Sequence, residues 1–192
     1  MTLLARIFFL LLLLVTSAYS GQNPRPPTHF EDYGACPFEC CTYRRWSVNA
    51  DTVLYKQRDK SSGVAFRVKK GDHVIGLTGV VITLKVGKAI IKKATTIGIT
   101  KRKIRVNAGD VLYLLHYEGE GIYKIWFRGR IYENEMPTAP GLDTKTPIAQ
   151  REEFIHVVSE PDYIWWVKVK NRLGRIGWSK EDKNFGDMDA CG

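Results

Sequence analysis

No acidic residue occurs between Asp72 and Asp110, although the chain holds 20 Asp and Glu in all. Prolines are few, 8 in 192 residues, and 44% of the residues are hydrophobic, which excludes a disordered or low-complexity chain. Only residues 7–15 form a long apolar run, and nothing later approaches the roughly 18 residues of a membrane helix. Helical periodicity is missing from every 12-residue window. Residues 151–158 have room for two turns, so an α-helical architecture is excluded. There is no nucleophile elbow, Walker loop, dinucleotide fingerprint or H-E-x-x-H, which removes the enzyme classes those motifs define. Cysteine is limited to Cys36, Cys40, Cys41 and Cys191. Their C-x3-C-C cluster lacks a second ligand pair at zinc spacing, so neither a metal nor a cofactor is expected.

Among the features present, the N-terminus comes first. Arg6 precedes the apolar run, and Ala18-Tyr19-Ser20 is a small-x-small cleavage site before Gly21. This pattern predicts a signal peptide over residues 1–20 and a secreted or periplasmic chain of about 172 residues with no transmembrane segment after cleavage. Residues 21–42 read as a flexible Pro-rich leader followed by the Cys-rich segment. An even cysteine count in an exported chain predicts disulfides. A vicinal Cys40–Cys41 bridge is strained. Cys191 is therefore expected to join Cys40 or Cys41, with Cys36 taking the other.

Period two dominates the remainder. Val80, Ile82, Leu84 and Val86 alternate with Val81, Thr83, Lys85 and Gly87, while Tyr123, Ile125 and Phe127 alternate with Lys124, Trp126 and Arg128. Residues 111–117 form a continuous apolar run, as for a central strand covered on both faces. The expected fold class is all-β. A weak repeat, V-x-x-G-D-x-x-x-x-L, occurs at 68–77 and again at 106–115. In each copy Gly-Asp supplies a tight turn into a buried strand. The segment 165–178, WWVKVKNRLGRIGW, places a tryptophan at each end of a hairpin with Gly177 just before Trp178.

That hairpin, together with the two Gly-Asp turns, resembles bacterial Src-homology-3-like domains. The resemblance implies small β-barrels, tandem or interlocked into one composite domain: a first unit at 43–100 and a second at 101–190. In the second unit the closing hairpin comes late, so residues 122–162 read as an insertion. The family binds rather than catalyses. The resemblance accordingly implies a non-catalytic module engaging a cell-envelope polymer or protein (wall peptide, peptidoglycan or envelope protein) through an aromatic groove. Its candidates are Tyr113, Tyr117, Tyr123, Trp126 and Trp166. By strand parity Trp166 shares a face with Lys168 and Lys170 and is expected to be partly exposed, whereas Trp178 is expected to be buried as a structural ring.

Charge supplies a second function class. The formal net charge is +9, and Lys85, Lys88, Lys92, Lys93, Lys101, Arg102, Lys103 and Arg105 all fall inside the acid-free window. Such a segment suits an anionic surface bound by salt-sensitive contacts, or it protects a sheet edge from aggregation. Export argues against nucleic acid. A third class is a small hydrolase using His116 and Glu118, which share a strand face. The competing reading is that Glu118 and Glu120 solvate a hairpin tip while His116 packs beside Tyr117, and no catalytic residue is expected.

Overall fold

The computed structural model describes residues 24–99, 103–137 and 152–191. The signal-peptide expectation, Lys101 and Arg102 of the basic segment, and most of the loop at 133–150 lie outside the described residues.

The chain is all-β. Fifteen strands and one short 3-10 turn (Asp182–Asn184) are the regular elements of the described residues. One sheet has eight strands in the order β15-β2-β5-β13-β14-β3-β4, with β1 also pairing β5. Its members are β1 (Phe30–Tyr33), β2 (Arg45–Val48), β3 (Thr52–Gln57), β4 (Asp59–Val68), β5 (His73–Lys85), β13 (Asp162–Lys170), β14 (Ile176–Ser179) and β15 (Phe185–Gly186). A second, five-stranded sheet runs β11-β10-β9-β6-β12, from β6 (Gly87–Ile91), β9 (Val111–Gly119), β10 (Ile122–Phe127), β11 (Arg130–Glu135) and β12 (Ile155–Ser159). The strands β7 (Thr95–Ile97) and β8 (Ile104–Val106) form a separate ribbon. Residues 155–159 are thus a strand and not helical turns; Ile155 and Val157 on alternate positions pack on the core beneath.

The weak sequence repeat is a structural repeat. Gly71 and Gly109 both adopt left-handed backbone, φ +91° and +88°, which glycine enters without steric cost. Asp72 and Asp110 each return a carboxylate to a backbone N–H three residues earlier, at 2.9 Å from Lys69 and 2.8 Å from Asn107. Each turn then clips to the end of an earlier strand in the same way. Gly71 N–H donates to Val48 O and Val48 N–H donates to Asp72 O; Gly109 N–H donates to Ile91 O and Ile91 N–H donates to Asp110 O. The register agrees, since Trp46 faces Val74 as Ala89 faces Leu112. Strand, ribbon, Gly-Asp turn and long strand therefore occur twice, as β2, β3–β4, β5 and as β6, β7–β8, β9.

Strand pairing divides the chain differently from boundaries at 43–100 and 101–190. The chain leaves the first sheet at Gly87 and re-enters it at Asp162, so the second unit is nested inside the first. The hairpin β10–β11, read from sequence as an insertion, pairs with β9 as the closing hairpin of the second unit. The tryptophan hairpin β13–β14 pairs with β5 and closes the first. In sequence, β5 and its partner β13 are separated by all the strands of the second sheet. Where the chain exits and returns, a Cβ on Gly87 would lie 2.5 Å from Ser159 O and 2.7 Å from Pro161 N, so only glycine fits.

Each unit has its own core. Trp46, Leu54, Phe66, Val81, Trp165, Val167 and Phe185 fill the first, while Ile97, Val106, Leu112, Leu114, Ile125, Phe127 and Met136 fill the second under the β7–β8 ribbon. The N-terminal segment is not a free leader throughout. Residues 30–33 are strand β1, and disulfides join Cys36 to Cys41 and Cys40 to Cys191, with Cα separations of 5.5 and 5.6 Å. The second bridge spans 151 residues, a loop whose closure is worth about 4–5 kcal/mol in the chain-entropy account.

The tryptophan assignment is inverted. Trp166 is 4% exposed, and Trp178 is only half-buried. Parity placed Trp166 correctly beside Lys168, but it treated that face as flat and wet. The sheet is curled. Arg58 at the β3–β4 turn reaches across the same face, 5.4 Å from the Tyr33 ring and 5.8 Å from the Trp178 ring, while pairing with Glu31 at 2.8 Å.

Two outcomes are expected in chemical denaturation. Trp166→Ala costs about 3–5 kcal/mol by cavity formation, and Trp178→Ala costs less, about 1–2 kcal/mol. The reverse order would refute the covered-face account. Gly87→Ala is expected to cost about 1–3 kcal/mol, because all three close neighbours are backbone and cannot yield as a side chain would. Unaltered stability in that variant would show that the crossing has slack.

Candidate functional site

Two features arise where the units meet: a buried charge cluster, and a groove along β11. The cluster is built by three strands. β1 presents Asp32, β9 presents His116 and Glu118, and β10 presents Lys124. Lys124 and His116 are register partners on one face of the second sheet. Asp32 comes from the first, where it pairs with Val81. His116 Nε2 lies 3.0 Å from Asp32 Oδ2, and Lys124 Nζ lies 2.5 Å from the same oxygen and 2.8 Å from Glu118 Oε1. The other imidazole nitrogen, Nδ1, donates to the Tyr117 carbonyl at 2.9 Å, since a carbonyl only accepts. Phe30 stacks on the imidazole at 6.3 Å, and Tyr163 meets it edge-on at 6.0 Å.

Burial by itself raises the Asp32 carboxyl, but hydrogen bonds from His116 and Lys124 outweigh it and hold the group below its ordinary value. Burial likewise lowers Lys124, and bonds to Asp32 and Glu118 reverse this and raise it. The two directions agree and describe one ion-paired unit. Asp32, His116 and Glu118 place ligand atoms within 4.8 Å of one another, a spacing that suits a metal. The Lys124 ammonium supplies the positive charge there. His116 is fully buried with both ring nitrogens engaged, and its carboxylate partner is Asp32 rather than Glu118. It ties the two sheets together.

The groove lies on the neighbouring surface. One hollow of about 570 Å³ is walled by Phe30, Glu31 and Asp32 on one side and by Lys124, Ile131 and Glu133 on the other. A second, of about 680 Å³, is walled by Trp126, Gly129, Arg130, Lys103 and Ile104. Ile131 and Tyr132 line both, so the two adjoin along β11. The first end mixes Glu31, Asp32 and Glu133 with Lys124, and Glu31 and Asp32 are ion-paired to Arg58 and Lys124. The second carries Lys103 and Arg130. The ribbon forms the rim: Ile99 N–H donates to Glu133 O at 3.1 Å, and Gly98 N–H donates to Asn134 Oδ1 at 2.9 Å.

The aromatic candidates do not gather into one groove. Trp126 lines the second hollow and is half-buried, with Tyr113 as its register partner on the same face. Tyr123 points into the second core, and Tyr117 packs against that core, their rings 5.4 Å apart. The Tyr123 hydroxyl donates to Glu160 Oε2 at 2.8 Å, and burial followed by this contact pushes its titration upward. Trp166 sits on the first sheet. The five were expected together because they are aromatic and close in sequence, but strand alternation sends Tyr113 and Trp126 to one side and Tyr123 to the other.

The basic segment is likewise divided. Lys85 ends β5, Lys88 lies on β6 inside the five-stranded sheet, and Lys103 and Arg105 lie on or beside β8. All are exposed, as are Lys92 and Lys93, and Lys93 pairs with Glu153 at 2.7 Å. Of this stretch, Thr95–Ile97 and Ile104–Val106 form a ribbon. Sequence reasoning passed over Asp32 and Lys124 altogether. A four-residue strand in a segment read as flexible gives no periodic signal, and Lys124 reads as one more outward lysine.

Stability should carry the signature of this cluster. The depressed Asp32 value contributes stability that is present above the ordinary carboxyl value of 3.8 and is lost as pH falls through the folded value. Asp32→Asn is expected to cost about 2–3 kcal/mol at neutral pH and to flatten the acid limb of the stability curve below about pH 4. An acid limb identical to that of the wild type would remove Asp32 from this role. No family model, curated protein or solved structure matches the chain.

Proposed function

We propose that the protein is an exported, non-catalytic binding module of two nested Src-homology-3-like barrels, holding an extended ligand along β11. The observation that carries this is the pair of adjoining hollows that share Ile131 and Tyr132, with a half-buried tryptophan at one end. Half-buried aromatics offer large rigid contact area at low entropic cost. Two copies of the strand–ribbon–turn–strand unit, each closed by a hairpin, support the family reading. The ligand class, a wall peptide, peptidoglycan strand or envelope protein, comes by analogy of fold. Export is favoured by the two disulfides. Among the described residues no helix is long and apolar enough to cross a membrane. The non-catalytic assignment rests on His116, whose two nitrogens are committed to Asp32 and a backbone carbonyl.

Retention of the protein on purified sacculi, anionic vesicles and immobilised envelope proteins tests the reading. Trp126→Ala is expected to weaken binding to the preferred fraction by about 1–3 kcal/mol, with the near-ultraviolet dichroism of the fold unaltered. Retention unaffected by this change would rule out the groove. A second reading, polyanion binding through the segment 85–105, is favoured by the exposure of Lys88, Lys92, Lys103 and Arg105. It requires retention on heparin to collapse between about 50 and 200 mM salt, and on changing those four residues to Ser.

A further inference from the structure

The Trp126 end of the groove is already touched by the chain itself. The Trp126 indole N–H donates to the Pro24 carbonyl at 3.1 Å, and a Cβ on Gly129 would stand 3.4 Å from Pro24 Cγ. Trp126 and Gly129 both line the second hollow. From Pro24 the chain continues through Pro26 and Pro27, both half-buried, to Phe30, Glu31 and Asp32, which wall the first hollow. One segment therefore reaches both ends of the groove.

Its two ends are held very differently. Residues 30–33 pair with β5 as a strand, and Asp32 is locked to His116 and Lys124. Pro24, Pro26 and Pro27 have no N–H to donate and cannot extend the strand ladder. At the Pro24 end, among the described residues, the hold is a Trp126 hydrogen bond, with the Pro24 ring lying over the open face of Gly129. Proline restricts the free segment, so little conformational entropy is lost on lying down. A hold of this kind closes readily and is readily displaced.

We propose that residues 24–29 are a strap, hinged at β1, that covers the Trp126 end of the groove and competes in cis with the extended ligand. This rests on the groove reading above. Ligand entry lifts the prolines from Trp126 while β1 stays in the sheet, so apparent affinity is lowered by the fraction of molecules with the strap down.

Changing Pro24, Pro26 and Pro27 together to Gly in the full chain tests it, with N-bromosuccinimide as the probe and peptide mapping as the readout. Modification of Trp126 is expected to speed up about fivefold, the factor that one ordinary hydrogen bond supplies, while Trp178 in the same molecule reacts at an unchanged rate. A synthetic peptide of residues 22–29 added to the variant should slow Trp126 modification again. Retention of the variant on sacculi should rise by a similar factor. Trp126 modification that does not change overturns the strap. So does faster modification without a rise in retention, provided Trp126→Ala still weakens retention. Failure of the groove itself looks different: Trp126→Ala leaves retention unchanged, and the strap's regulatory role then falls with the groove.

Discussion

Asp32 Oδ2 receives two cationic or proton-bearing partners from the opposite sheet, and much of the architecture is arranged around that atom. Bringing a carboxylate into a site where its side chain is 18% exposed costs solvation, and neither His116 nor Lys124 alone would offset it fully. Together, with Glu118 also bound to the lysine, they make one ion-paired unit whose geometry demands that β1, β9 and β10 sit in one relative position. Thr83 Oγ1 donating to Leu115 O at 2.9 Å adds a buried neutral tie beside it. The two sheets have separate cores. The charge cluster specifies how they meet, and the groove along β11 exists because the first unit's β1 forms its far wall.

Nesting explains why so many contacts cross long stretches of chain. β5 pairs with β13 only after the second unit is complete, and Cys40 joins Cys191 across nearly the whole described chain. Loop closure of that size is costly before its contacts reward it. The inner unit is continuous in sequence and has its own core, and the terminal disulfide restrains the unfolded ensemble of the outer one. Glycine at position 87 permits the exit and return strands to pass backbone against backbone.

The same chemistry serves different ends at the two closing hairpins. In β13–β14 the tryptophans are structural: Trp165 enters the first core and Trp166 is covered. In β10–β11 Trp126 is half-buried, and its indole N–H is met by the Pro24 carbonyl. Arg58 and Pro24 are thus analogous lids over tryptophan-bearing faces. The first is held by an ion pair and two rings, and the second by one hydrogen bond. That difference in hold is what separates a permanent cover from a removable one.

Local chemistry was legible in the chain without tertiary information. Alternation at 80–87 and 122–128 identified strands, and the Gly-Asp pairs marked turns whose Asp side chains bond backbone three residues earlier. The even cysteine set with a vicinal pair limited Cys191 to two partners. These are determined by interactions spanning a few residues, or by counting. The nesting, the burial of Trp166, the scattering of the aromatic and basic residues, and the pairing of His116 with Asp32 were decided only in three dimensions. Period two assigns a residue to one of two faces but does not say which face of a curled sheet another segment will cover. A carboxylate 84 residues from its histidine has no spacing to betray it, because the contact is created by the docking of two sheets and by nothing local to either residue.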